Sequence, residues 1–199
     1  MASTAVKPAA HTRVCGTGCT TCRSLREAAA RLVTEHGIEH VTSEDLADAV
    51  GLTHAQLALH RDGAAHTCIG DAYLEASSRL HDVWATKFVD HETWSGGLRE
   101  AMAALLHTLA ADEVSARLCF VEIPHGDREM LRLREGVRRR NVEILCKQYA
   151  AHHPGEPVPE VHIELVCGTI VHAIAEAVAN DRTAELVDRL DEIMAVAGH

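Results

Sequence analysis

An all-α fold is what the sequence predicts, and three observations carry it. Apolar residues recur at helical steps of three and four almost throughout. Aromatics make up only 3% of the chain, too few for an aromatic-rich β-sandwich or for a stacking platform that reads single-stranded nucleic acid. No stretch has the alternation of a convincing strand, and no repeat is present. The 199 residues, 47% hydrophobic and 24% charged, can bury enough surface to fold without a disulfide or a metal.

Residues 1–23 are small, polar and broken by Gly16 and Gly18, and read as a flexible arm that contains cysteines. Ser24-Leu25-Arg26-Glu27 has capping-box form. Leu25, Ala28, Ala29, Leu32, Val33 and His36 then share one helical face, which Gly37 ends. Thr42 or Ser43 caps a short helix from Glu44 to Val50, stopped by Gly51. Thr53-His54-Ala55-Gln56, again of capping-box form, opens another that runs to about His60. A long helix is predicted from near Thr67 to Val89, then a loop at Ser95-Gly96-Gly97 and a helix over Leu98 to Ala111. Further helices are expected over Ser115 to Ile123 and Asp127 to Ala151. The proline-rich segment from His152 to Pro159 reads as a loop, and two apolar helices close the chain.

The span Ser43 to His60, SEDLADAVGLTHAQLALH, carries the function. Two short helices joined by a glycine turn form a helix-turn-helix pattern. Ala47 is small where the helices approach, and Gly51 supplies a positive φ. Leu46, Val50, Leu52 and Leu57 fill the core between the pair and the first helix. Thr53 caps the second helix and turns its N-terminus outward, an end suited to a phosphate or a base edge.

With these residues in place the chain resembles the TetR family of one-component transcriptional regulators. The likeness runs through Leu25–His36, Val41-Thr42, Glu44 to Thr53, and Leu57 with His60. It continues more loosely through Phe120-Val121-Glu122, Pro124-His125-Gly126, the Arg-rich segment Leu131–Leu145 and the closing helices. The resemblance implies a helix-turn-helix DNA-binding domain over 24–66 and a helical effector-binding and dimerisation domain over 67–199. It implies a homodimeric repressor of a palindromic operator in double-stranded DNA, released by a small-molecule effector, with the closing helices as the dimer interface. The N-terminus lacks an apolar core of signal-peptide length, so a cytoplasmic location is expected. On this resemblance Thr42 and Thr53 would hold phosphate, His54 and Gln56 would face base edges, and His60 and Arg61 would touch the backbone. An effector pocket would draw on Trp84, Phe88, His107, Phe120 and His172.

The chain also departs from the family. Ala58 stands where the family usually has Tyr, Arg61 where an aromatic is common, and Ala64, Ala65 and His66 where a basic residue is expected. The net charge is −10, and Leu25 to Ala64 holds three basic against seven acidic side chains. DNA affinity usually draws on cations that release counterions. Lys7, Arg13 and Arg23 in the arm are the compensating candidates. The acidic domain supports a second reading, a TetR-like ligand or metal sensor that has lost DNA binding and acts through a protein partner.

His11, Cys15, Cys19 and Cys22 form a cluster in the arm. Four such donors suit a closed zinc site, and three thiolates suit zinc or an iron–sulfur cluster completed by Cys68, His66 or an outside ligand. Cys22 beside a helix N-terminus is alternatively a redox thiol with Cys19 or Cys15 as its resolving partner, and incidental cysteines are the third reading. The spacing is also similar to the cluster motif of radical-SAM enzymes, but the chain lacks the alternating β/α pattern their barrel needs. No Gly-rich phosphate loop and no serine–histidine–acid arrangement appears, so no enzyme activity is expected. The apolar stretch Val161 to Ala179 is interrupted by His162, Glu164, His172 and Glu176, so no membrane span is expected either.

Overall fold

The computed structural model describes residues 19–61, 64–88 and 91–197. Among these residues there is no strand, and nine α-helices follow one another. A three-helix unit is made by α1 (Thr20–His36), α2 (Ser43–Val50) and α3 (His54–Arg61). The larger bundle comprises α4 (Ala65–Ala85), α5 (Trp94–Ala111), α6 (Glu113–Arg117), α7 (Arg128–His152), α8 (Glu160–Ala179) and α9 (Leu190–Ala197).

Two hydrophobic cores underlie this division. Leu25, Ala29, Val33, Leu46 and Leu57 of the three-helix unit pack with Ile69 and Tyr73 of α4, and with Leu118, Ile123 and Met130. Trp84, Phe88, Met102, Leu106, Leu109, Ile163, Ile170, Ile174 and Leu186 form the second. The first half of α4 belongs to one core and its second half to the other, so this helix is the mechanical link between them. Gly70 lets α4 and α7 approach, since a Cβ there would lie 3.0 Å from Leu133 Cδ1 and 3.2 Å from Met130 Cε.

Several boundaries differ from the sequence reading, among them that α4 ends at Ala85 and gives way to a 3-10 turn over Thr86–Phe88. First, α1 starts at Thr20, so Thr20–Arg23 belong to it rather than to the arm. Cys19 is its N-cap residue, and Ser24 is too far inside the helix to cap it. Second, Ser95, Gly96 and Gly97 lie inside α5, because the Thr93 hydroxyl accepts from the Gly96 N–H (3.2 Å) and starts the helix early. Third, the expected helix over Ser115 to Ile123 is short α6, a π-turn over Leu118–Glu122 and a 3-10 turn at Ile123–His125. Fourth, the final helix is preceded by a 3-10 segment, Thr183–Arg189.

Helix α8 has a mean hydropathy of 1.5 over its most apolar window, long and apolar enough to cross a membrane by length and composition alone. Here one face, with Ile163, Val166, Ile170, Ile174, Ala177 and Val178, packs into the bundle. On its other side Val161 and Leu165 are exposed, at 72% and 66%.

Candidate DNA-binding surface and metal centre

Helix α2 is capped as its sequence predicts. The Thr42 Oγ1 accepts from the Asp45 N–H (3.2 Å), and the Asp45 carboxylate accepts from the Thr42 N–H (2.8 Å) and hydroxyl (2.6 Å). These bonds hold the Asp45 carboxyl below the usual carboxylate range. Gly51 then ends α2 in the left-handed region at φ 69°, with its N–H on the carbonyls of Ala47 and Asp48. The chain turns into α3 through a second box: Thr53 Oγ1 accepts from the Gln56 N–H (3.3 Å), and Gln56 Oε1 accepts from the Thr53 N–H (2.8 Å) and hydroxyl (2.9 Å).

The result is a helix held on one side. Leu57 is fully buried, whereas Thr53, His54, Ala55, Gln56, Ala58 and Leu59 are exposed. His54 and Gln56 are thus on the outer surface with Thr42 and Thr53 at the two capped helix starts. Gln56 keeps its amide N–H groups for another partner while its oxygen serves the cap. Arg61 ends α3.

His60, expected to touch a DNA backbone, lies at the end of α3 against the start of α1. Its Nδ1 lies 3.6 Å from Cys19 Sγ and 3.7 Å from Cys22 Sγ. One ligand atom from each of Cys19, Cys22 and His60 falls within 4.8 Å of the others, a donor set of the kind that holds a metal ion. The two cysteines sit one turn apart at the start of α1, and the histidine arrives from the end of α3. His11 and Cys15 lie outside the described residues. Cys68 is buried in α4, and His66 lies beside Glu129, 3.9 Å away.

In the bundle Trp84 and Phe88 are buried, with Phe120 packed partly buried against the same core, while His107 and His172 are exposed. His81 is buried beside Trp84, their rings 5.0 Å apart, and its Nε2 has no hydrogen-bond partner among the described residues. Burial, reinforced by Arg140, lowers its pKa. A shallow surface hollow of about 90 Å³ lies elsewhere, between Thr169, Ile170, Ala173, Arg189, Glu192 and Ile193.

The sequence reading did not foresee how the halves are joined. Buried Glu122 accepts from the Ile38 N–H just beyond α1 (3.1 Å) and pairs with Arg117 (3.5 Å), which reaches Asp181 beyond α8 (3.4 Å). This polar path connects the end of the first helix to the bundle. No spacing signal announces it, because Ile38 and Glu122 are 84 positions apart.

No protein-family model and no curated protein matches the sequence. Solved structures do match. The fatty acid degradation regulator FadR of Bacillus halodurans superposes with a TM-score of 0.79 at 15% identity, over 92% of this chain and 96% of its own. FadR of Bacillus subtilis, in complex with stearoyl-CoA, gives 0.75 at 15% identity, over 88% and 96%. The chain has the TetR-family fold. A third structure, the TetR-family regulator PfmR of Thermus thermophilus, matches with a TM-score of 0.64 at 22% identity, over 86% and 94%. The TetR-like arrangement of a helix-turn-helix unit on a helical bundle thus holds over nearly the whole length.

Proposed function

We propose that this protein is a DNA-binding transcriptional regulator that acts as a cytoplasmic homodimeric repressor and carries no enzyme activity. The observation that carries the reading is the presentation of α3: anchored by Leu57, capped at its N-terminus and exposed along His54, Ala55 and Gln56. A helix displayed in this way fits the major groove. Thr42 and Thr53 hold phosphates, His54 and Gln56 meet base edges, and Arg61 meets the backbone. The exposed apolar side of α8, with Val161 and Leu165, packs against its copy in the dimer.

The effector is a small molecule with an apolar part, taken up around Trp84, Phe88 and Phe120. Stearoyl-CoA in the Bacillus subtilis neighbour is a precedent for that class. His81 Nε2, orphaned among the described residues, is a polar handle at the same place. The effector releases DNA by favouring a dimer shape in which the two α3 helices no longer match successive major grooves. A metal or redox change at the N-terminal cysteines is the second input.

The test is selection from random double-stranded DNA with the full chain. Enrichment of a palindrome with half-sites about one helical turn apart is expected. Enrichment of nothing, with or without a chelator, overturns the reading. It would instead favour a sensor that works through a protein partner, for which the excess of acidic over basic side chains between Leu25 and Ala64 is the supporting observation.

A further inference from the structure

We propose that Cys19, Cys22 and His60 bind one zinc ion, and that this ion ties the recognition helix to the first helix and so sets DNA affinity. The DNA consequence rests on the regulator reading above; the metal site does not.

Geometry is the first argument. A tetrahedral zinc ion with zinc–sulfur distances of about 2.3 Å and zinc–nitrogen distances of about 2.0–2.1 Å holds its sulfur and nitrogen donors about 3.6 Å apart. The two Sγ to Nδ1 distances are 3.6 and 3.7 Å. The donors are also of the right kind: two thiolates and an imidazole suit zinc, and no oxygen ligand is needed. Cys19 and Cys22 lie at the N-cap and first turn of α1, so both sulfurs face the His60 imidazole from one helix end. These are three ligands among the described residues, and one further donor completes a tetrahedral site.

The second argument is where the ligands come from. Eight residues are too few for a helix to be stable by itself. Among the described side chains of α3, Leu57 is the one that is buried, and it lies in the middle of the helix. Its start is secured by the Thr53 box. The metal anchors the other end through His60, 38 positions along the chain from Cys22. Two thiolates cancel the charge of the ion, so it adds little field to attract phosphate. Its effect is geometric: it removes freedom from α3 that DNA binding must otherwise freeze out.

Of the four residues expected from spacing, Cys19 and Cys22 are in this set and His11 and Cys15 lie outside the described residues. His60 adds an imidazole from α3, so the described part of the site bridges two helices.

The experiment uses the full chain, purified under reducing conditions without chelator. Elemental analysis is expected to find about one zinc per chain. C19S, C22S and H60A are expected to bind zinc at least about 100-fold more weakly, beyond the loss usual for a partner that only supports a ligand. H60C should restore binding, because a thiolate can replace an imidazole as ligand but not as a packing ring. Cobalt substitution should give tetrahedral d–d bands with thiolate charge transfer in the native chain, and H60A should change them at unaltered helical content. Wild-type-like zinc binding in H60A, iron and sulfide in place of zinc, or no binding at micromolar zinc would overturn the site.

For DNA, removing zinc is expected to weaken binding to the selected palindrome at least about tenfold, and re-adding it to restore binding. Zinc bound with operator affinity unchanged would overturn the tie. Zinc bound with no palindrome selected in either state would leave the site standing and bring down the regulator reading alone.

Discussion

Cys22 and Cys119 are both drawn into the protein, yet their surroundings make them different reagents. Cys119 sits between the two cores with the Ser77 hydroxyl 3.9 Å from its sulfur, and burial pushes its thiol up to about 12. Cys167 of α8 is pushed up to about 11 by burial, and Cys146 of α7 is raised by burial together with Glu160 and Glu164. Cys22 and Cys19 instead share an imidazole nitrogen at a helix start. The same side chain is a small hydrophobe in the bundle and a candidate metal ligand in the helix-turn-helix unit. Burial alone does not distinguish the two uses; the neighbours do.

The sharpest way to break this contrast is serine substitution. C146S and C167S should leave zinc content unchanged, against near-complete loss in C19S and C22S; equal loss in all four would erase the distinction. Alkylation offers the next largest difference. At pH 8, a thiol with a pKa near 12 is ionised in only about one molecule in ten thousand. Cys119 should therefore resist iodoacetamide in the folded chain, whereas Cys19 should react after zinc removal and be protected with zinc bound. Mass mapping of the modified peptides checks this, and rapid labelling of Cys119 in folded protein would contradict it.

Stability tests how α3 is held in the three-helix unit. L57A removes the buried anchor of α3 and should cost about 2–5 kcal/mol in denaturant unfolding. L59A, two positions on and 59% exposed, should change stability by no more than about 0.5 kcal/mol. Comparable losses would mean that α3 is not held as described. Replacing Gly51 with alanine forces a side chain into the left-handed region and should cost about 1–2 kcal/mol. T42A should cost about 1 kcal/mol through its lost cap.

The smallest effect concerns pH and belongs to the bundle. His81 has a lowered pKa when folded, so the unfolded chain takes up its proton first as pH falls. Its contribution is complete above the ordinary histidine value of about 6.5 and is lost as pH drops toward the folded value. The denaturant midpoint should therefore fall between pH 7 and pH 5, and H81Q should flatten that slope. An unchanged slope would show that His81 is not the titrating group.

The helices were readable because their apolar faces repeat at helical spacing and because Gly37, Gly51, Thr42 and Thr53 mark their ends by local chemistry. Where local signals competed, reading failed. Ser24 looks like a cap, but α1 had already begun at Thr20; Gly96 and Gly97 look like a loop, but Thr93 caps the helix that contains them. The candidate metal site was half readable. Cys19 and Cys22 announce themselves by their spacing, while His60 joins them only because α3 packs across α1. Glu122 and its bond to Ile38 are invisible for the same reason, being products of the packing of distant segments. The exposed faces of His107 and His172 likewise depend on how α5 and α8 are rotated in the bundle, which spacing does not specify.

The most direct measurement is a binding isotherm of the zinc-treated full chain on the selected palindrome, for the wild type and for an H54A/Q56A variant of matched helical content. If α3 reads bases, the variant loses at least about tenfold on the palindrome while binding of unrelated DNA stays within about twofold. Indistinguishable isotherms on the palindrome would mean that α3 does not enter the groove.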